Sequence, residues 1–178
     1  MVVSAMFTLC TALLPACAST PAQAPSGKAQ RAVVERVVDG DTVVLSIGGE
    51  PNLKVRLISV DAPESIASDE SRNCEEGRIA SRFLKDLLRV GSEVYVTSER
   101  SDRDKYGRLL RHVWLADPDG HASDEVFVRE NMVEAVLVSA GMAQAKRYEP
   151  DTVYYPLLEG LGEQARASGA GVSYKFSV

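Results

Sequence analysis

Residues 32–60, AVVERVVDGDTVVLSIGGEPNLKVRLISV, are three apolar runs separated by turn residues. Ala32–Val38 is rich in valine and breaks at Asp39-Gly40, a strong turn signal. Thr42–Ile47 follows and breaks at Gly48-Gly49. In Leu53–Val60 apolar residues alternate with Lys, Arg and Ser. Side chains alternate across a strand, so Arg56 points opposite to Val55 and Leu57. The three runs predict a β-meander.

Downstream, Glu76–Val90 carries Ile79, Ala80, Phe83, Leu84, Leu87 and Leu88 on one helical face, with Gly91 as the stop. Glu93–Ser98 and Arg108–Leu115 predict two more strands, joined by a polar loop. Val126–Val128 reads either as a short strand or as the lead into a helix. Asn131–Ala140 and Pro156–Ser168 predict helices ended by Gly141 and Gly169. Pro156 suits a first helical turn. Gly160 and Gly162 each weaken the last helix by roughly 1 kcal/mol relative to Ala. Three strands, a helix, two strands and then helices is the order of an α+β protein built on a five-stranded OB-fold barrel, with about three helices.

The chain has 178 residues and a formal net charge of −5. At about 150 residues per domain, that is one domain with extensions. Hydrophobic residues make up 45% and charged residues 25%, which excludes a disordered or collagenous chain. The net charge argues against a general basic coat for nucleic acid but leaves room for a small basic cleft. Arg72–Arg111 holds ten basic and seven acidic residues, whereas Asp117–Glu134 holds one basic and six acidic. An anion-binding face should therefore avoid the second segment.

Residues 1–27 contain no charged residue. Residues 2–17 form an apolar run too short for a membrane span of about 20 residues, and they fit a secretion signal. Leu14-Pro15-Ala16-Cys17 resembles a bacterial lipobox, with Cys17 as the lipidated first mature residue; Ala16-Cys17-Ala18 also fits ordinary signal cleavage. The basic residues usual before such a run are missing. Residues 18–30, ASTPAQAPSGKAQ, read as a flexible tether, which leaves 31–178 as the folded domain. Expected placement is outside the cytoplasm: an outer-membrane or cell-surface lipoprotein, or a periplasmic or secreted protein. Cys74 is then the one cysteine of the mature domain and is read as an unreactive thiol. The cysteine pattern and two isolated histidines give no zinc site.

Four motifs remain: Asp39-Gly40-Asp41-Thr42, Val55-Arg56-Leu57 leading to Asp61-Ala62-Pro63-Glu64, Asp104-Lys105-Tyr106-Gly107-Arg108, and Tyr148-Glu149-Pro150. Singly, each has an ordinary reading: a hairpin turn, a solvated strand, a helix start, a loop. An EF-hand around Asp102 and Asp104 fails, because Val113 stands where the terminal Glu is needed.

Together, VDGDT (38–42), VRLISVDAPE (55–64) and DKYGR (104–108) resemble the staphylococcal nuclease (thermonuclease) family, in order and spacing, over about Val33–Tyr174. The resemblance implies an exported Ca²⁺-dependent nuclease that hydrolyses phosphodiester bonds of DNA and RNA. It implies a preference for single strands and 3′-phosphate products. Asp41 and Asp61 match the Ca²⁺ carboxylates, with the backbone carbonyl of Ala62 as a further ligand. Glu64 matches the carboxylate that orients or deprotonates the attacking water. Arg56 and Arg108 match the arginines that grip the reacting phosphate. Lys105 and Tyr106 match contacts to a neighbouring phosphate, and Tyr148 matches one of two tyrosines flanking the base.

The chemistry agrees with those roles. Carboxylate and carbonyl oxygens are hard ligands suited to Ca²⁺. Arginine presents a planar fork to phosphate and keeps its proton at any working pH, so Arg108 stabilises the leaving oxygen rather than protonating it.

The pattern departs from the family in places. Ala62 stands for a Thr, and Lys146 for the first base-flanking Tyr, which exchanges a stacking surface for a charge. Pro118–Asn131 reads as an acidic insertion and a solvated loop. Gly171-Val172-Ser173 replaces a Gly-Leu-Trp, while the lone Trp114 lies on a predicted strand. Tyr154, Tyr155 and Tyr174 are assigned to the core or rim. A monomer is expected. The rival reading is a catalytically weak or inactive OB-fold module that binds oligonucleotide or protein at the cell envelope.

Overall fold

A computed structural model describes residues 28–64 and 74–172. The expected signal at 1–17, lipidation of Cys17, most of the tether and Tyr174 lie outside the described residues. The chain runs β1 (Gln30–Asp39), β2 (Thr42–Ile47), β3 (Glu50–Leu57), β4 (Val60–Asp61), α1 (Glu75–Leu87), β5 (Glu93–Thr97), β6 (Leu109–Trp114), α2 (Glu125–Asn131), α3 (Val133–Ser139), β7 (Gln144–Ala145) and α4 (Tyr155–Ser168).

The expected meander and the two later strands close into a five-stranded barrel in the order β1-β2-β3-β6-β5. All neighbours are antiparallel except β3 and β6, which pair in parallel, Arg56 opposite Leu110. β1 belongs to two pairings, with β2 and with β5, and its register shifts at Val34/Arg36 and Val37/Asp39. Bulges of this kind add the twist that a small barrel needs to close. The interior is filled by Val34, Val43, Leu45, Val55, Leu57, Val94, Val96 and Val113, which alternate along their strands.

Several expectations are corrected, among them the first helix, which stops at Leu87 rather than Val90. β3 stops at Leu57 rather than running to Val60, because Ile58 and Ser59 turn and Ser59 takes a left-handed φ of 60°. The short β4 then starts afresh and pairs with β7. The acidic segment 118–131 is not simply a solvated loop: it contains α2, a fourth helix. Asp124 caps α2 by accepting from the amides of Val126 and Phe127. The ring of Phe127 stacks at 6.2 Å on the fully buried Trp114, and Tyr154 Oη donates to the carbonyl of Ala122. Offset aromatic pairs add about 1 kcal/mol beyond area burial, so this segment is anchored to the core.

Met132 separates α2 from α3 by bridging to Trp114, so the helix expected from Asn131 begins at Val133. α3 packs against α4, whose end at Gly169 adopts the expected left-handed cap at φ 68°. Among the described residues, no helix is long and apolar enough to cross a membrane.

Candidate active site

The turn between β1 and β2, the end of β3, β4, the loop before β6 and the segment after β7 open onto one cleft of about 800 Å³. Asp41, Arg56, Asp61, Glu64, Lys105, Tyr106, Arg108 and Tyr148 all line it. The eight side chains nominated from the sequence therefore meet in one place, although they span 108 positions from first to last.

The β2–β3 register explains the centre of the cleft. Thr42 stands opposite Arg56, so the turn residue Asp41 reaches the guanidinium directly. Arg56 faces away from the buried Val55 and Leu57, as expected, yet it is only 8% exposed. Its Nη1 lies 2.6 Å from Asp41 Oδ2, and its Nη2 lies 3.0 Å from Asp61 Oδ1. Nη2 also reaches Tyr148 Oη at 3.5 Å. One guanidinium thus spans both candidate metal carboxylates and touches the candidate base-flanking tyrosine. Burial pushes the Asp41 carboxyl above its ordinary range; Arg56, the amide of Ala62 and the Thr42 hydroxyl pull it back only in part.

Arg108 is aimed by a different carboxylate. Asp104 Oδ2 accepts from Arg108 Nε at 2.7 Å, while its Oδ1 accepts from the amides of Tyr106 and Arg108. Burial opposes charge on Asp104, but these hydrogen bonds prevail and lower its pKa. Arg108 Nη1 donates to Thr42 Oγ1 at 3.2 Å, which ties the loop before β6 to the start of β2. The ring of Tyr106 is largely exposed, with Lys105 Nζ and the Arg108 guanidinium 5.0 and 5.5 Å from its centroid.

Glu64 is held through its backbone. Its carbonyl accepts from the amide of Cys74 at 3.2 Å. Cys74 Sγ also accepts from the amide of Gly77 and caps α1. That is the work of the thiol read from the sequence as unreactive. Ala62 contributes its amide, which donates to Asp41 Oδ2 at 3.1 Å.

Sequence reasoning missed three participants: Asp104 as the aiming group for Arg108, Thr42 as the link between turn and loop, and Lys146 as an ion pair with Asp61. Lys146 Nζ lies 2.9 Å from Asp61 Oδ2, and that hydrogen bond raises its pKa. The DKYGR run contained the signal for Asp104, since an Asp four residues before an Arg across a glycine turn is placed to pair with it.

The donor set fits a hard cation. Asp41 and Asp61 present carboxylate oxygens on either side of Arg56, and an open cleft beside them leaves room for water and phosphate. Among the described residues, no three His, Cys, Asp or Glu side chains converge into a complete cage. A cation here would take its remaining ligands from backbone, water and substrate.

Behind the cleft lies a second ionisable cluster. His112 is fully buried between Glu99, 2.7 Å from Nε2, and Glu134, 3.2 Å from Nδ1. Burial disfavours charge on the ring, but the two carboxylates outweigh it and raise the His112 pKa to about 9. Burial also pushes the Glu134 carboxyl up, and its bond to His112 pulls it back only in part. Glu99 also accepts from the amide of Val153, and the buried Asp151 accepts from the amides of Arg100 and Ser101. Through these bonds the cluster anchors the segment that carries Tyr148.

A family model described as staphylococcal nuclease homologue matches residues 54–172. The chain is 34% identical to a thermonuclease of Staphylococcus intermedius over 134 residues, 75% of this chain and 70% of that protein. It is 31% identical to a thermonuclease of Staphylococcus hyicus, over 75% of this chain and 69% of that one. Endonuclease YncB of Bacillus subtilis is 30% identical over 77% of this chain and 58% of its own length.

Proposed function

The chain belongs to the staphylococcal nuclease family, and from that premise we propose that it is a calcium-dependent, sugar-nonspecific nuclease for DNA and RNA. Phosphodiester hydrolysis is the coarse activity, and thermonuclease and endonuclease are the names of its relatives. The observation that carries the finer reading is the convergence of two arginines, three carboxylates and an open cleft.

Hydrolysis needs an aligned water and compensation of charge on the phosphate oxygens. Asp41 and Asp61 would hold the calcium, with the carbonyl of Ala62 as a further ligand. Bound there, the cation supplies a divalent charge for the phosphate and acidifies the attacking water. Glu64 orients that water and takes its proton as the new P–O bond forms. Arg56 and Arg108 donate to the phosphate oxygens and stabilise the charge that grows on them. The bond from phosphorus to the 5′-oxygen breaks beside Arg108, the departing oxygen takes a proton from solvent water, and the phosphate stays on the 3′ side. Lys105 and Tyr106 hold the adjacent phosphate, and Tyr148 lies against the base. An unpaired strand reaches such a cleft more easily than a duplex, which supports a preference for single strands.

We place the enzyme outside the cytoplasm, anchored through Cys17. Incorporation of a labelled fatty acid, abolished by Cys17→Ala, is the expected result; unlabelled protein recovered from the medium overturns the anchor.

The deciding experiment is hydrolysis of end-labelled single-stranded DNA and RNA oligonucleotides with calcium and with chelator. Cleavage of both, dependent on calcium and ending in 3′-phosphates, is expected. A folded protein that binds oligonucleotide in calcium without cutting it would establish the binding-module reading instead.

A further inference from the structure

Lys146 occupies the position to which the family resemblance assigns a base-flanking tyrosine, and its side chain is turned onto a candidate calcium ligand. The placement is built into the backbone. β7 pairs with β4 so that Gln144 faces Asp61 and Ala145 faces Val60. The amide of Lys146 then donates to the carbonyl of Ser59 at 2.9 Å. These contacts deliver the side chain to Asp61 from the facing strand.

The two oxygens of Asp61 are both engaged by protein cations: Oδ1 by Arg56 at 3.0 Å and Oδ2 by Lys146 at 2.9 Å. Asp41 differs, since among the described residues its one cation is Arg56 and its other donors are the neutral Thr42 hydroxyl and Ala62 amide. The two cations on Asp61 also differ from each other. Arg56 is locked in place by two carboxylates and is nearly buried. The Lys146 side chain is 45% exposed and also lies over the ring of Tyr148, with Nζ 5.5 Å from its centroid. It can leave Asp61 without stranding a buried charge.

We propose that Lys146 is an internal counter-ion that competes with calcium for Asp61 and so sets the calcium affinity of the nuclease, holding it below what the carboxylates alone would give. The inference rests on the calcium reading above. A divalent cation needs the Oδ2 lone pairs that the ammonium occupies, and it is repelled by a positive charge left nearby. Because the pair is half-exposed, the competition is modest and is screened by salt.

The test is calorimetric titration of calcium into the wild-type protein, Lys146→Gln and Lys146→Arg, without nucleic acid, at low and at high ionic strength. Lys146→Gln should bind calcium about three- to fivefold more tightly, the upper part of the range a half-exposed ion pair supports. Lys146→Arg should stay within about twofold of wild type, because the charge is retained. The gap should narrow in salt. Unchanged or weaker binding by Lys146→Gln overturns the proposal. So does equal tightening by Lys146→Arg, which would assign the effect to packing rather than charge. If none of the three proteins binds calcium, the calcium reading itself falls, and this inference with it.

Discussion

Gly77 and Glu64 meet backbone to backbone: a Cβ built on Gly77 would lie 2.1 Å from the carbonyl oxygen of Glu64 and 2.9 Å from that of Pro63. The first turn of α1 is pressed against the chain that carries the candidate general base. The glycine is required there by close approach, and no side chain at position 77 leaves Glu64 where it is.

Gly77→Ala should therefore act on turnover as well as on stability. The clash is with backbone atoms, so α1 or residues 63–64 must move. Overpacking of this kind costs about 1–3 kcal/mol. Displacing a catalytic carboxylate by about 1 Å costs about 100-fold in rate. The expected result is a kcat lowered by that order with KM little changed, alongside a lower urea midpoint. A kcat equal to wild type would show that Glu64 does not depend on the contact.

Glu64→Gln separates catalysis from binding more sharply. The amide keeps the shape of the side chain but cannot accept the proton of the attacking water. Loss of a positioned general base lowers turnover by about 10²–10⁴. Binding of a labelled single-stranded oligonucleotide in calcium, followed by anisotropy, should stay within about threefold of wild type, a difference of less than 1 kcal/mol. Unaltered turnover would remove Glu64 from the mechanism.

The barrel was legible because each of its strands is a short valine-rich or leucine-rich run with glycine or Asp-Gly punctuation, and that pattern is local. The end of β3 was not legible, because Ile58-Ser59 continues the alternation while its backbone turns. α2 was legible only as one of two alternatives, because Val126, Phe127 and Val128 are consecutive rather than spaced around a helix and what holds the segment is the stacking of Phe127 on Trp114 of β6. The site was legible for a similar reason. Asp41, Arg56, Asp61, Glu64 and Arg108 sit in short motifs whose order is itself informative. The contact of Lys146 with Asp61 spans 85 positions and depends on the β4–β7 pairing, so no local pattern announces it. The links of His112 to Glu99 and Glu134 cross 13 and 22 positions and are equally silent in the sequence.

The His112 cluster predicts a loss of stability on the alkaline side. His112 is raised from 6.5 to about 9 in the folded protein. The stability it contributes is fully present below the unfolded pKa of 6.5 and is lost as pH rises through about 9. Urea unfolding from pH 6 to 10 should show a falling midpoint between those limits. His112→Gln should be less stable at pH 6 and should flatten the profile. A slope unchanged in His112→Gln would assign the alkaline loss to other groups.

Arg56 predicts a coupled loss of fold and function. Its guanidinium bridges Asp41 Oδ2 and Asp61 Oδ1 from a position with a side-chain exposure of 9%. Removing one partner of a buried pair leaves the other charge stranded and costs about 3–5 kcal/mol. Arg56→Met should approach that loss, because Asp41 is then buried without its cation. Arg56→Lys separates charge from geometry. A lysine ammonium restores a positive charge near Asp41, but it cannot span both carboxylates or offer phosphate a planar fork. Arg56→Lys should recover at least half of the stability lost in Arg56→Met, as judged by urea unfolding. Its kcat should nevertheless remain about 10²–10³ below wild type, the scale of losing one oriented donor at a developing charge. Near-normal turnover in Arg56→Lys would show that the charge suffices and that the two-carboxylate bridge serves the fold rather than the phosphate.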